Sequence, residues 1–180
     1  MPAMISRGCA QPGSGRADTD AVPKFNVTRT TPHSAENIFA IVADVGSYKE
    51  FLPLMTQSRV MHRKTLPDGR ESFDATTTIV HDKLRIHETM HSHVIVDRES
   101  STVTAHSADG PLKSLDTRWV IRPLSNGGSE IEFSVDYALK SRSLQFLLSG
   151  MFDLVVRKIM NAFEARADEL TDAHGDAGAI

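Results

Sequence analysis

The chain is poor in cysteine and aromatics and has no long apolar run, and these shortages exclude several classes of protein. Its single cysteine, Cys9, rules out an internal disulfide framework and a cysteine-rich zinc site. One free thiol suits a reducing compartment such as the cytoplasm. No run of ~20 apolar residues is present, so no transmembrane helix is expected. Residues 1–10 also lack the apolar segment of a signal peptide, which makes Cys9 a poor lipoprotein site. Charge of one sign is not in excess: the formal net charge is −3, which gives no general nucleic-acid footprint. A phosphate-binding glycine-rich loop, a nucleophile elbow and a His-Glu-x-x-His helix are missing too. What remains, 40% apolar and 24% charged over 180 residues, is an ordinary globular composition long enough for one sizeable core.

Residues 1–23 are rich in Gly, Pro, Ala, Ser and Asp without periodicity, and read as a disordered tail or leader outside the fold. Residues 24–31 form a first strand with Phe25 and Val27 on one side. Thr31-Pro32-His33-Ser34 opens a helix, because proline fits the first turn and serine caps. Ala35, Ile38, Phe39 and Val42 share its face. Asp44-Val45-Gly46-Ser47 breaks it, and Tyr48-Lys49-Glu50-Phe51-Leu52 makes a second short helix closed by Pro53.

From residue 58 to 139 the period becomes two. Segments 58–66, 71–80, 83–96, 101–107, 113–122 and 130–139 read as strands, separated by turn chemistry such as Pro67-Asp68-Gly69, Asp109-Gly110-Pro111 and Asn126-Gly127-Gly128. Short connections make an antiparallel meander. The large apolar residues keep one parity: Phe73, Ile79, Leu84, Ile86, Met90, Val94, Leu115, Trp119, Ile121, Phe133 and Tyr137 among them. The other parity carries Lys83, Arg85, His87, His91, Glu130, Glu132 and Asp136. One face of the sheet is therefore buried and one wet.

The buried face needs a cover, and residues 141–170 supply it. At about 100° per residue, Leu144, Leu148, Met151, Phe152, Val155, Val156, Ile159, Phe163 and Leu170 fall on one broad face. Asp153, Arg157, Asn161, Glu164 and Asp168 fall on the opposite one. Ser141 and Ser143 are candidate caps. A helix of roughly 28 residues is ~42 Å long. The order predicts an α+β domain over residues 24–172, with a short disordered tail at 173–180. In it a curved seven-stranded antiparallel sheet wraps a long C-terminal helix, and two short helices follow the first strand.

Several strings lie on this plan: Tyr48-Lys49-Glu50-Phe51-Leu52-Pro53, Asp109-Gly110-Pro111-Leu112-Lys113-Ser114-Leu115, Trp119 followed by Ile121-Arg122-Pro123, and Phe163-Glu164-Ala165-Arg166-Ala167. With them the chain resembles the START-like, helix-grip (polyketide cyclase-related) superfamily. Within it, the chain is similar to the coenzyme Q-binding protein family and the overlapping bacterial ribosome-association toxin family. The likeness runs over residues 23–172. Leu54 departs from it, standing where an aromatic is expected. The resemblance implies a hydrophobic tunnel between sheet and helix that holds ubiquinone or a similar isoprenoid lipid. It implies a lipid chaperone for respiratory electron transport rather than an enzyme, with no catalytic cofactor. For some members it implies a toxin that binds the large ribosomal subunit and blocks subunit association. A basic patch of Arg59, Arg63, Lys64, Lys83 and Arg85 would serve that second role. Polyketide cyclase-like chemistry is the third alternative.

The expected tunnel wall comprises Phe51, Leu54, Phe73, Thr77, Ile86, Glu88, Trp119, Phe133, Tyr137, Phe152, Val156, Phe163 and Arg166. The competing expectation is a solid core. Ala75, Thr77, Ala105 and Thr117 interrupt the large inner residues and leave space. Glu88 shares the inner parity and, if buried, needs a partner; a β-bulge would instead turn it outward. Arg166 falls within the apolar stripe. There it either faces a quinone oxygen or has a structural role, pairing with Glu88 or Asp44 or extending its head to water; the structural role is preferred. Leu144, Phe146 and Leu147 sit on helix turns that are apolar nearly all round. They are read either as contacts with the short helices or as a lip facing a membrane or partner, peripheral at the inner face of the membrane. His91 and His93 stand i, i+2 on one strand, but no carboxylate or cysteine at ligand spacing completes a metal site, so no metal is expected.

Overall fold

A computed structural model of the chain describes residues 24–82 and 85–175; the side chains at 143–149, 152 and 173–175 lie outside that description. Its elements are β1 (Lys24–Thr31), α1 (Ala35–Ala43), a 3-10 turn (Val45–Ser47), α2 (Tyr48–Phe51), β2 (Met55–Thr65), β3 (Glu71–His81), β4 (Ile86–Asp97), β5 (Thr102–Ser107), β6 (Leu112–Pro123), β7 (Ser129–Leu139) and α3 (Arg142–Gly175). The strands form one antiparallel seven-stranded sheet in the order β1-β7-β6-β5-β4-β3-β2. β1 adds beside β7 as one edge of the sheet, and β2 forms the other.

Local chemistry explains the joints. Ser34 caps α1 by accepting the Asn37 N–H at 3.3 Å. The expected break at 44–47 is a 3-10 turn: the Asp44 N–H still donates to Ala40 and Ile41 carbonyls, and the Ser47 hydroxyl donates to Asp44 at 2.6 Å. Gly110 has φ +56°, and a Cβ there would stand 2.8 Å from the Thr89 carbonyl, so only glycine fits. The adjoining Asp109 accepts the His91 N–H and the Ser107 hydroxyl, both at 3.0 Å, and fastens the β5–β6 turn across β4.

Three boundaries differ from the sequence pattern. β2 starts at Met55 rather than residue 58, because a register shift between Met55 and Gln57 masks the alternation there. β4 starts at Ile86 rather than residue 83: Arg85 sits in a turn with φ +51°, while Lys83 and Leu84 lie outside the described residues. α3 continues to Gly175, past Leu170, since nothing in Thr171-Asp172-Ala173-His174 stops a helix before the glycine.

The buried face is not uniform. Beneath α1 it is solid: Ile38, Phe39 and Val42 join Phe73, Val96, Ile121 and Ile131 in the buried core. Beneath α3 the packing is thinner. There Val156, Met160, Phe163 and Ala167 are buried, while Met90, Ala105, Leu115 and Ile159 are only partly so.

Candidate functional site

The thin region encloses a cavity of about 310 Å³ between sheet and α3. Its floor comes from alternate residues of five strands: Thr77 and Ile79 on β3, Met90 and Ser92 on β4, Ala105 on β5, Thr117 and Trp119 on β6, and Phe133 on β7. Cross-strand register lines these up, with Thr77 opposite Met90, Ala105 opposite Thr117, and Trp119 opposite Phe133. α3 closes the top with Val155, Val156, Ile159 and Phe163, and Val45, Tyr48, Leu52 and Met55 close one end. Void arises where small side chains meet: Ala105 and Thr117 face one another across β5 and β6, where larger residues would reach the helix.

The cavity is apolar with a few hydroxyls. Thr77, Ser92 and Thr117 supply three, and Tyr48 a fourth that donates to the Val42 carbonyl at 2.5 Å. Burial, reinforced by the Asp44 carboxylate, pushes the Tyr48 hydroxyl well above the ordinary phenol range. Among the described residues the wall carries no carboxylate, histidine, lysine or arginine. One aromatic layer braces it: Trp119 lies against Phe133 at 4.2 Å and Phe163 at 4.9 Å between ring centroids. Phe163 meets Tyr48 and Phe51 edge-on at 5.3 and 5.2 Å.

Of the residues expected on the wall, Thr77, Trp119, Phe133, Val156 and Phe163 line this cavity. The others go elsewhere. Phe73 is buried in the solid half, with the Arg63 guanidinium 4.5 Å from its ring centroid. Tyr137 is buried on the same inner parity of β7 but off the wall. Ile86 and Glu88 keep the inner parity of β4, half-buried beyond Met90, with Glu88 opposite Ile79. No bulge turns Glu88 outward: the β3–β4 register is continuous from Glu71 to His81.

Leu54 is 47% exposed rather than on the wall. Its φ of +70° lets its carbonyl accept the Val80 N–H, and the side chain is carried outward. Phe51 and Arg166 are on the far side of the aromatic layer, in a separate cleft between α1 and α3. There Arg166 donates to Glu50 at 2.8 Å and Glu169 at 3.3 Å and lies 5.7 Å from the Phe51 centroid. Its partner is thus neither Glu88 nor Asp44; helix α2 puts Glu50 closer. The side chains of Phe152, Leu144, Phe146 and Leu147 lie outside the described residues.

Met55 and Ser92 line the wall without being singled out by the sequence pattern. Ser92 shares the parity of Met90 and Val94, which was the available signal; Met55 was hidden by the shifted start of β2. On the wet face, histidines pair with aspartates. His62 and His93 both reach Asp74 at 2.9 Å, and His106 reaches Asp116 at 2.7 Å. Hydrogen bonds from His93, then His62, hold the Asp74 carboxyl below its ordinary value. At Asp109 burial pushes upward, but the His91 and Ser107 hydrogen bonds outweigh it and the carboxyl is lowered. No helix among the described residues is long and apolar enough to cross a membrane.

Residues 31–164 match the family model described as polyketide cyclase / dehydrase and lipid transport. The ribosome association toxin RatA of Escherichia coli is 28% identical over 152 residues, 84% of this chain and 91% of that protein. The mitochondrial coenzyme Q-binding protein COQ10 homolog B of Xenopus laevis is 27% identical over 82% of this chain and 59% of its own length. Among solved structures, the Zhui aromatase/cyclase of Streptomyces sp. R1128 superposes with a TM-score of 0.72 at 13% identity, covering 88% of this chain and 99% of that one. The 18 kDa protein CC1736 of Caulobacter crescentus gives 0.70 at 25% identity, covering 83% and 99%.

Proposed function

The chain belongs to the polyketide cyclase / dehydrase and lipid transport family, and on that premise we propose that it holds the ring and proximal tail of ubiquinone, or a similar isoprenoid lipid, between its sheet and α3. It would act as a lipid chaperone for respiratory electron transport. The observation that carries this is the cavity: apolar, with scattered hydroxyls and no charged group among its described lining residues. Such a wall favours a neutral, largely hydrocarbon ligand whose few oxygens accept hydrogen bonds. Thr77, Ser92 and Thr117 are the donors available for quinone oxygens.

Size refines the proposal. At ~30 Å³ per water molecule, 310 Å³ is about ten water volumes. That accommodates a substituted ring and the first part of a tail. A longer tail leaves the cavity and needs further apolar cover, which a membrane would supply. Each buried methylene contributes ~0.8 kcal/mol, so affinity should rise over the first isoprene units and then level off. Quenching of Trp119, the single tryptophan, by quinones of increasing tail length tests this directly. A plateau after the first units is expected; affinity independent of the tail would sink the proposal. The described wall offers no carboxylate, histidine or lysine, and its Tyr48 hydroxyl is engaged by the Val42 carbonyl, which also supports binding over cyclase-like catalysis.

A second reading, docking on the large ribosomal subunit, is supported by similarity to RatA across 91% of that protein. Arg59 and Lys64 are exposed on edge strand β2, whereas Arg63 is already held by Glu71 at 2.8 Å. Salt-sensitive co-sedimentation with large subunits, lost in an Arg59→Glu/Lys64→Glu double variant, would favour it.

A further inference from the structure

One carboxylate of the sheet is unlike the rest. Among the described strand residues every other carboxylate has a partner. His62 and His93 reach Asp74, His106 meets Asp116, Arg122 meets both Glu130 and Glu132, and Lys24 meets Asp136. Asp97 accepts the N–H groups of Glu99 and Ser100. Glu71, which shares the inner parity of its strand with Phe73, is held by Arg63 and Arg98. Glu88 is the other carboxylate on an inner parity, half-buried, and among the described residues its side chain makes no ion pair or hydrogen bond. A partly desolvated charge without a partner loses hydration and gains no pair in return, so stability does not explain it.

Its position suggests a role. Glu88 ends a cross-strand row in which Met55 stands opposite Ile79, and Ile79 opposite Glu88. The first two members of that row line the inner cavity, and so does Met90, two residues along β4 from Glu88. β5 pairs with β4 only from His93 to Asp97, so no strand extends the floor beyond Glu88. The carboxylate therefore stands at the rim of the apolar space. Inside, an anionic head would find no lysine, arginine or histidine among the described lining residues and would lose its hydration. It has to stay at the rim, where a like charge in partly desolvated surroundings repels it. A neutral head meets neither obstacle.

We propose that Glu88 is a selectivity residue at the cavity's rim, which turns away fatty acids and other anionic amphiphiles and reserves the cavity for neutral isoprenoid lipids. This rests on the reading of the cavity as a lipid site and adds to it the means of choosing among lipids. Discrimination of this kind comes from a repulsive element rather than from an added contact. It holds for any neutral headgroup, because the charge of the head, not its shape, is what Glu88 meets.

The test compares farnesol with farnesoic acid, which share one isoprenoid skeleton and differ in head charge at neutral pH. Each competes, below its micelle concentration, with a short-tailed ubiquinone that quenches Trp119 in the full chain. Farnesol should displace the quinone from wild type at a concentration at least about tenfold below that of farnesoate. Glu88→Gln should narrow this ratio and Glu88→Lys should close or reverse it, with farnesol affinity and melting temperature unchanged. His87→Lys, one residue away and exposed on the wet face, should leave the ratio as in wild type. Equal displacement by both lipids in wild type overturns the proposal. So does a ratio that neither Glu88 variant moves, or one that His87→Lys moves as far. Those outcomes leave neutral-lipid binding standing. If ubiquinone and farnesol both fail to bind, the lipid reading of the cavity falls and the proposal falls with it.

Discussion

If the space above Ala105 is a true cavity, filling it should make the protein more stable and less able to bind. Ala105 faces Val94 on one side and Thr117 on the other and lines the void. Ala105→Leu adds three carbons to that void. At ~0.8 kcal/mol per buried methylene the gain is at most about 2.4 kcal/mol, and about 1 kcal/mol is reasonable after rotamer cost. For a chain of this size, 1 kcal/mol corresponds to roughly 2–4 °C in melting temperature. In a solid core the same change forces overpacking and costs about 1–3 kcal/mol. The two cases therefore differ in sign. Thermal and urea unfolding of lipid-free protein measures it, and Trp119 quenching by a short-tailed ubiquinone measures binding in the same samples. A higher melting temperature with lost quenching is expected. A fall of several degrees would refute the cavity.

Other substitutions test separate parts. Arg166→Ala removes two partly exposed ion pairs and the contact with Phe51, and should cost about 1–2 kcal/mol in urea unfolding while leaving quinone binding unchanged; lost binding would return Arg166 to the cavity. Gly110→Ala, at φ +56° and against the Thr89 carbonyl, should destabilise by about 2 kcal/mol or more, read in the same assay. Asp74 bears on acid stability. Its carboxyl is lowered in the folded state, so its contribution is present above the unfolded value near ~3.9 and is lost as pH falls through the lower folded value. Asp74→Asn should thus narrow the difference in urea midpoint between neutral pH and pH ~3. An unchanged difference would mean that the histidine contacts do not hold the carboxylate.

The architecture was readable because its signals are strong and redundant. Period-two alternation on β3 to β7, glycine turns and a long amphipathic helix all require the same sheet-and-helix arrangement. The site was readable where parity alone decides position, as for Thr77, Trp119 and Phe133, or where a helical stripe does, as for Val156 and Phe163. It was not readable where a local backbone event intervenes. Leu54 follows a proline, and its positive φ points it at water. Arg166 has the wheel angle of a buried residue, yet α3 rests on two different neighbours along its length. At that turn the neighbour is α2, which supplies Glu50. Nor does alternation say whether an inward residue meets atoms or space. Phe73 and Thr77 share one strand and one parity, but the first is packed in the solid core and the void lies over the second.

The most direct measurement is organic extraction of protein purified without detergent from a quinone-producing cell, with mass spectrometry of the extract. An isoprenoid quinone approaching one per chain, and absent from Ala105→Leu, is the expected result. Extracts free of isoprenoid lipid, from a protein that also fails to take up short-tailed ubiquinone, would contradict a lipid-binding role for the cavity.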